Sequence, residues 1–388
     1  MNAKGAKAKN RIVRKGICYP LLFIIILLAC IGLVMVLSST YTGLLLKDKV
    51  AMVQFRQQAM VAVAGIIVML LISKIDYHIY NKKIFIYGAI GLTIGLLCLV
   101  FLFDDVNGAH RWIELGSSGL TLQPSEIAKF TSVLWLAYYL SRNKWWYTSA
   151  KTWMAVILPV GIMAGLILIE PNLSTTLCYI AVAAVLLFIA GMQWKAIVGV
   201  VGLGAGLVFA MTKFTNYHSS RISAWLDPWA DPKISGYQVL QSLYALGDGG
   251  LFGVGLGNSK QKITHLPMAD TDYIFAMIAE EWGFIGAALV VVLYAAFIYF
   301  GIKIAIEAAD SFGSYLAAGI TSVIGVQVIV NIGVVTNSIP STGVTLPFIS
   351  RGSTSLGVFM AAMGILLSVS AYTKRSKKPK EQKKLKQQ

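Results

Sequence analysis

Charge is scarce in this chain. Of 388 residues, 13% are Asp, Glu, Lys or Arg, about half the share usual in soluble domains. Acids are the scarcest, 17 against 33 Lys and Arg. With 57% apolar residues, these figures exclude a disordered chain and an ordinary soluble enzyme. Cysteine is also sparse: Cys18, Cys30, Cys98 and Cys178 lie in apolar runs with no CxxC spacing. That argues against a disulfide framework or a zinc site and reads as small apolar packing. The histidines His78, His110, His218 and His265 are scattered, without an HExxH pattern. The glycine-rich stretch from Gly247 to Gly257 matches neither a GxxxxGK[ST] loop nor a GxGxxG turn. It suits tight turns or close backbone packing rather than a nucleotide. No internal repeat is visible, so an inverted-repeat transporter is not supported.

Long hydrophobic runs are what the chain has in abundance, and the mean hydropathy is +0.71. A membrane-spanning helix needs about 20 mostly apolar residues. Runs at 17–37, 57–73, 84–103, 123–141, 152–169, 173–192, 195–212, 272–303, 312–335 and 352–372 predict an all-α polytopic membrane protein with ten transmembrane helices. The first run is too long for a signal-peptide core, and no small-residue cleavage site follows it. The net charge of +16 sits at the ends, +6 in residues 1–15 and +7 in 374–388. The domain reading is a basic tail at 1–15, one ten-helix domain at 16–373 and a second basic tail at 374–388. Basic loops stay inside. Lys74, Lys82, Lys83, Arg142, Lys144, Lys151, Lys195 and Lys303 share a side with both tails only if the number of spans is even. Both termini are then cytoplasmic, and the basic excess marks a membrane face rather than nucleic acid. A large extracellular loop, 213–271, lies between helices 7 and 8. Its Trp225, Trp229, Tyr237 and Tyr244 predict a partly helical cover over the outer mouth. The last outer stretch, Asn331 to Ser355, reads as an extended or re-entrant segment shielded in the bundle.

Ionisable groups within spans cost about 2.5–3.5 kcal/mol each on insertion scales and are functional candidates by default. Glu126 and Lys129 are i,i+3 on the fourth span, behind Pro124 and Ser125, which suit a helix start. They read either as a structural pair or as groups facing an anionic substrate. The eighth span opens Asp270-Thr271-Asp272-Tyr273, with Glu280-Glu281 two turns on. Thr271 or Asp270 would cap the helix. Asp272, where the long loop meets the bundle, is the stronger candidate for chemistry.

At these residues the chain resembles the SEDS proteins (shape, elongation, division and sporulation), the family of FtsW, RodA and SpoVE. The likeness covers nearly all of 12–373. It rests on Gly108-Ala109-His110-Arg111-Trp112-Ile113, Gln123 to Lys129, Glu170-Pro171-Asn172-Leu173-Ser174-Thr175, Tyr237-Gln238 with Gln241-Ser242, Gly253 to Gly257, Thr271 to Ala276 with Glu280-Glu281, and Asn331-Ile332-Gly333 with Leu346 to Ser350. The resemblance implies a peptidoglycan glycosyltransferase that polymerises lipid II, an undecaprenyl-pyrophosphate disaccharide-pentapeptide, on the outer face of the cell membrane. It serves division, sporulation or growth, with the division septum as one place of action. A class B penicillin-binding protein and other division or elongation proteins are the implied partners. The family's essential acid falls on Asp272 and its Glu–Lys pair on Glu126 and Lys129. Three departures stand out. Asp270 replaces a usual His, Arg351-Gly352-Ser353-Thr354 replaces Tyr-Gly-Gly-Ser, and Asn172 and Ser174 replace Asp and Gly.

The chemistry suits these residue types. A sugar 4-hydroxyl attacks the donor's anomeric carbon, Asp272 accepts the proton, and cations meet the leaving pyrophosphate. Lys129, Arg111 and Arg221 are the candidates, in that order, with Glu126 orienting Lys129. Asp270 would help Asp272 hold a divalent cation, Mg or Mn, or raise its pKa by like-charge repulsion. An apolar groove between helices would take the lipid tail. Two rivals stand beside this reading: a lipid II flippase, and a weakly active scaffold that recruits the transpeptidase.

Overall fold

The computed structural model describes residues 12–14, 16–45, 49–103, 111–114, 121–143, 146–170, 172–196, 198–199, 202, 206, 216–261 and 270–374. Eleven helices are named among them. They are α1 Tyr19–Leu45, α2 Lys49–Lys74, α3 Lys83–Leu99, α4 Pro124–Arg142, α5 Ala150–Ile169, α6 Leu173–Ile189, α7 Asn216–Leu226, α8 Tyr237–Asp248, α9 Ile274–Glu307, α10 Ser311–Val335 and α11 Ser353–Ser370. Seven are long and apolar enough to cross a membrane: α1, α2, α3, α5, α9, α10 and α11. Helix α6 is apolar but has only 17 residues, and α4 carries Glu126, Lys129 and Arg142. The expected run at 195–212 lies largely outside the described residues.

The apolar runs predicted most helices nearly to their ends; α1 runs eight residues past the expected end at 37, to Leu45, and α2 is the more informative exception. Helix α2 begins at Lys49, eight residues before the expected start. The extra turns hold Gln54, which with Gln57 and Gln58 at the start of the expected run lines an internal cavity. A helix buried against a polar cavity need not look apolar.

Helix α10 is central, packing on α4, α6 and α9, while α11 lies along α2. The lipid-facing surface is apolar throughout. On α9 it includes Phe284, Ile285, Leu289 and Val292, all exposed. Cys178 is buried as a packing residue, but Cys30 and Cys98 face outward, which corrects the expectation that all four cysteines pack inside. At the end of α9 remote from Asp272, Asp310 caps α10 by accepting from the Gly313 N–H at 2.7 Å. The same carboxylate meets the Tyr77 hydroxyl at 3.1 Å and His78 Nε2 at 3.1 Å. Beside it the segments next to the two basic tails pair as an antiparallel ribbon, β1 Ile12–Arg14 with β2 Tyr372–Lys374.

Helix α9 breaks at Gly283, whose φ of 70° and ψ of −169° are not helical. A broken helix leaves carbonyls and N–H groups without partners. The glycine-rich turn after α8 supplies them. Val254 N–H donates to the Glu280 carbonyl at 2.9 Å and Gly255 N–H to that of Glu281 at 3.1 Å. In return, Phe284 and Ile285 N–H donate to the Gly250 and Leu251 carbonyls at 2.8 and 3.2 Å. A Cβ on Gly283 or Gly253 would collide with the opposing backbone, which is the physical reason for glycine at both positions. Glu280 fastens the same segment, accepting from Ser259 Oγ at 2.5 Å and Lys260 N–H at 2.8 Å. Glu281 accepts from Ser38 Oγ at 2.7 Å. Glu280 therefore holds the glycine-rich segment to α9, and Glu281 ties α9 to α1. The 24 residues from 284 to 307 reach about 36 Å at 1.5 Å per residue, enough for a hydrocarbon core of about 30 Å. The residues before the break, 274–282, lead back to Asp272 at the other end of α9.

Candidate active site

Asp272 sits just ahead of α9, in a turn held from several directions. Asn331 Nδ2 of α10 donates to the Asp272 carbonyl at 2.7 Å and to the Val344 carbonyl at 2.8 Å. Ser350 Oγ donates to the Thr271 carbonyl at 2.6 Å while accepting from Leu346 N–H at 2.8 Å. Arg351 N–H donates to the Asp270 carbonyl at 2.8 Å. The helix cap residue is Tyr273, without a side-chain cap, so neither Asp270 nor Thr271 caps α9 as the sequence suggested. The stretch 336–352 is irregular, with Leu346, Phe348 and Ile349 buried, as its reading as a shielded segment implied. Gly343, at φ 72°, runs so close to Asp272 that a Cβ there would lie 3.2 Å from Oδ2.

Asp272 lines a polar cavity of about 430 Å³ with Arg111, Arg221 and Arg351. It is the one carboxylate among the described lining residues, against three guanidinium groups. Burial raises the Asp272 pKa to about 6, with Asp270 adding to the rise and Arg221 and Arg111 opposing it. The group is then mostly ionised at neutral pH and still basic enough to take a proton. Arg221 is placed by α7, its Nη1 donating to the Ser341 carbonyl at 3.1 Å. The neighbouring Trp225 Nε1 donates to the Asn337 carbonyl at 3.1 Å. Segment 216–248 is thus partly helical and closes over this end of the bundle, as expected of the long loop. Arg111 Nε donates to the Glu170 carbonyl at 3.4 Å. Its neighbours in the Gly108-Ala109-His110 motif lie outside the described residues.

Lys129 and Glu126 are not brought to this cavity. Their Nζ–Oε1 contact is 2.7 Å and Lys129 is 1% exposed, with Phe359 of α11 at 6.0 Å from the ammonium. The pair is a buried brace within α4, away from the cavity lining, which removes Lys129 from first place among the cations. Asp270 is not a ready metal ligand either, because its Oδ2 lies 2.6 Å from Arg351 Nε. The described residues include no group of three His, Cys, Asp or Glu side chains arranged for a metal ion. The donor set therefore does not fit a divalent ion held by the protein alone.

The cavity has members that the sequence did not single out. Arg351 was noticed only as a departure, although it is the sole charge in 336–351. Gln58 ties α2 to that stretch, its Oε1 accepting from Gly352 N–H at 3.2 Å. Outside the cavity lining, behind Arg111, Glu170 is fully buried at the end of α5, and neither carboxylate oxygen has a partner among the described residues. Burial pushes its pKa up to about 8, against the pull of Arg111. Beside the polar cavity lies an apolar one of about 330 Å³, between α6, α7 and α10, which shares Arg221 and Thr342 with it.

Comparison with known proteins agrees with this architecture. Stage V sporulation protein E of Bacillus subtilis is 39% identical over 360 residues, covering 91% of this chain and 97% of that protein. A probable peptidoglycan glycosyltransferase FtsW of Geobacter sp. strain M18 is 37% identical, covering 90% and 95%. Among solved structures, a chain from a peptidoglycan synthase complex, described for the coordination of polymerization and crosslinking, superposes with a TM-score of 0.74. It is 27% identical and covers 92% of this chain and 98% of that one. The rod shape determining protein RodA of Thermus thermophilus gives 0.65 at 25% identity, covering 92% and 97%. The FtsW/RodA/SpoVE family model, described as cell cycle protein, matches residues 19–375. This chain, a polytopic membrane protein, belongs to the FtsW/RodA/SpoVE family.

Proposed function

We propose that this chain is a peptidoglycan glycosyltransferase that polymerises lipid II on the outer face of the membrane, in company with a class B penicillin-binding protein. The observation that carries the reading is the single carboxylate, Asp272, facing Arg111 and Arg221 in a polar cavity that opens beside an apolar one. A lipid-linked sugar needs both environments, one for its pyrophosphate and sugars and one for its tail. Asp272 accepts the proton of the acceptor's 4-hydroxyl as that oxygen bonds to the donor's anomeric carbon. The bond from that carbon to the donor's phosphate oxygen breaks, and lipid pyrophosphate leaves. Arg111 and Arg221 meet the charge that develops on it. A Mg or Mn ion enters only as a companion of the substrate's own pyrophosphate, and no step is routed through it. Both basic tails lie in the cytoplasm in this reading, and action at the septum belongs to a division role.

The rival flippase reading needs polar groups through the membrane thickness. The cavity residues instead gather at helix ends, and the buried Glu126–Lys129 pair is already closed on itself. Purified chain in vesicles with labelled lipid II, with and without the transpeptidase, separates these readings. Glycan polymer is expected from the wild type and a loss on the order of 10³-fold from Asp272→Asn. Normal polymerisation by Asp272→Ala would remove Asp272 from the mechanism. Lipid movement across the bilayer without polymer would establish the rival.

A further inference from the structure

The cations of the cavity fall into two groups. Arg221 and Arg111 act on Asp272, while Arg351 is held by Asp270 through Nε at 2.6 Å and through its own backbone N–H at 2.8 Å. That side-on hold uses one of the five guanidinium N–H groups. The four on Nη1 and Nη2 have no protein partner among the described residues, and Arg351 lines the cavity. A guanidinium fixed by a carboxylate on one edge and open on the other is pre-organised for a phosphate. The position of Arg351 is further fixed by Gln58, which bonds the chain on either side of it, at the Ser350 carbonyl and Gly352 N–H. Residues 270 and 351, noted separately in the sequence, are thus one feature in space, an acid paired with a base.

We propose that Arg351 is a second pyrophosphate-binding locus, which takes the acceptor's lipid pyrophosphate while Arg111 and Arg221 take the donor's. Polymerisation joins two lipid-linked chains, so two pyrophosphates enter the cavity and only one leaves in each step. Asp270 is the positioning residue that holds Arg351. This rests on the glycosyltransferase reading for the roles of the two substrates. Binding of the lipid pyrophosphate needs no turnover.

The test titrates undecaprenyl pyrophosphate into the purified full chain in detergent, followed calorimetrically. The wild type is expected to bind two equivalents. Arg351→Gln should keep one and weaken the other by tenfold or more. Arg111→Gln with Arg221→Gln should do the reverse. Asp270→Asn, which frees Arg351 without removing it, should weaken the same equivalent as Arg351→Gln by a smaller factor. In turnover, Arg351→Gln should raise KM for lipid II with kcat largely kept. Because Arg351→Gln leaves Asp270 buried without its partner, the paired variant Asp270→Asn with Arg351→Gln repeats the titration with neither charge present. It should also keep one equivalent. One equivalent in the wild type, or two undiminished in the paired variant, overturns the proposal. A wild type that binds two equivalents but never polymerises lipid II overturns the glycosyltransferase reading instead.

Discussion

At the scale of single residues, two buried carboxyls in and beside the cavity are held in different protonation states. In the proposed mechanism Asp272 is ionised to accept a proton, and its pKa is about 6. Polymerisation should therefore be level above about pH 7 and fall as pH drops through 6, with a slope of one proton. Initial rates with lipid II from pH 5 to 8.5 check this, and a fall centred near 4 would show that burial does not govern the group. Glu170, near 8, is protonated at neutral pH. Glu170→Gln should therefore leave activity at pH 7 within about twofold. A raised carboxyl pKa makes the folded state lose stability as pH climbs from the unfolded value towards the folded one. The wild type should lose thermal stability between about pH 5 and 8 more steeply than Glu170→Gln, as read by unfolding in detergent. Asp272 was legible in the sequence because an acid at a loop–helix junction in so apolar a chain has few structural uses. Arg351 was not, because its meaning lies in Asp270, 81 residues away in sequence and adjacent only in space.

At the scale of elements, the helices were legible from hydrophobic runs because lipid leaves the backbone few alternatives. The roles of their polar residues were not. Glu126 and Lys129 share a helix face in either reading, and only burial decides between strut and site. Lys129→Met should cost about 3–5 kcal/mol by leaving Glu126 buried without a partner. Adding Glu126→Gln should recover most of that loss, as measured by thermal unfolding. If Lys129→Met unfolds like the wild type, the pair is not a strut. The break in α9 is likewise invisible to periodicity, since Gly283 sits in an otherwise uninterrupted apolar helix. Gly283→Ala places a Cβ against the Leu251 backbone at a φ that alanine rarely adopts. It should lower stability by about 1–3 kcal/mol and speed amide exchange in 274–282. Unchanged exchange there would mean that the turn does not brace the helix.

At the scale of the whole molecule, the pairing of β1 with β2 puts residues 12–14 and 372–374 on one face of the bundle. The tails' charge pointed to the same arrangement by an independent route. Single cysteines placed at 4 and 386, in a background without the four native ones, should both resist a membrane-impermeant maleimide in intact cells. Both should react once the membrane is opened. Labelling of one without the other would break the shared-face arrangement. The glycine turn that splints α9 has a mechanical consequence at this scale. Four backbone bonds weld the glycine turn to α9, two on each side of the break at Gly283. The turn therefore acts as a clamp rather than a hinge: a load on residues 249–255 is shared by both halves of α9, and the break cannot flex without breaking those bonds.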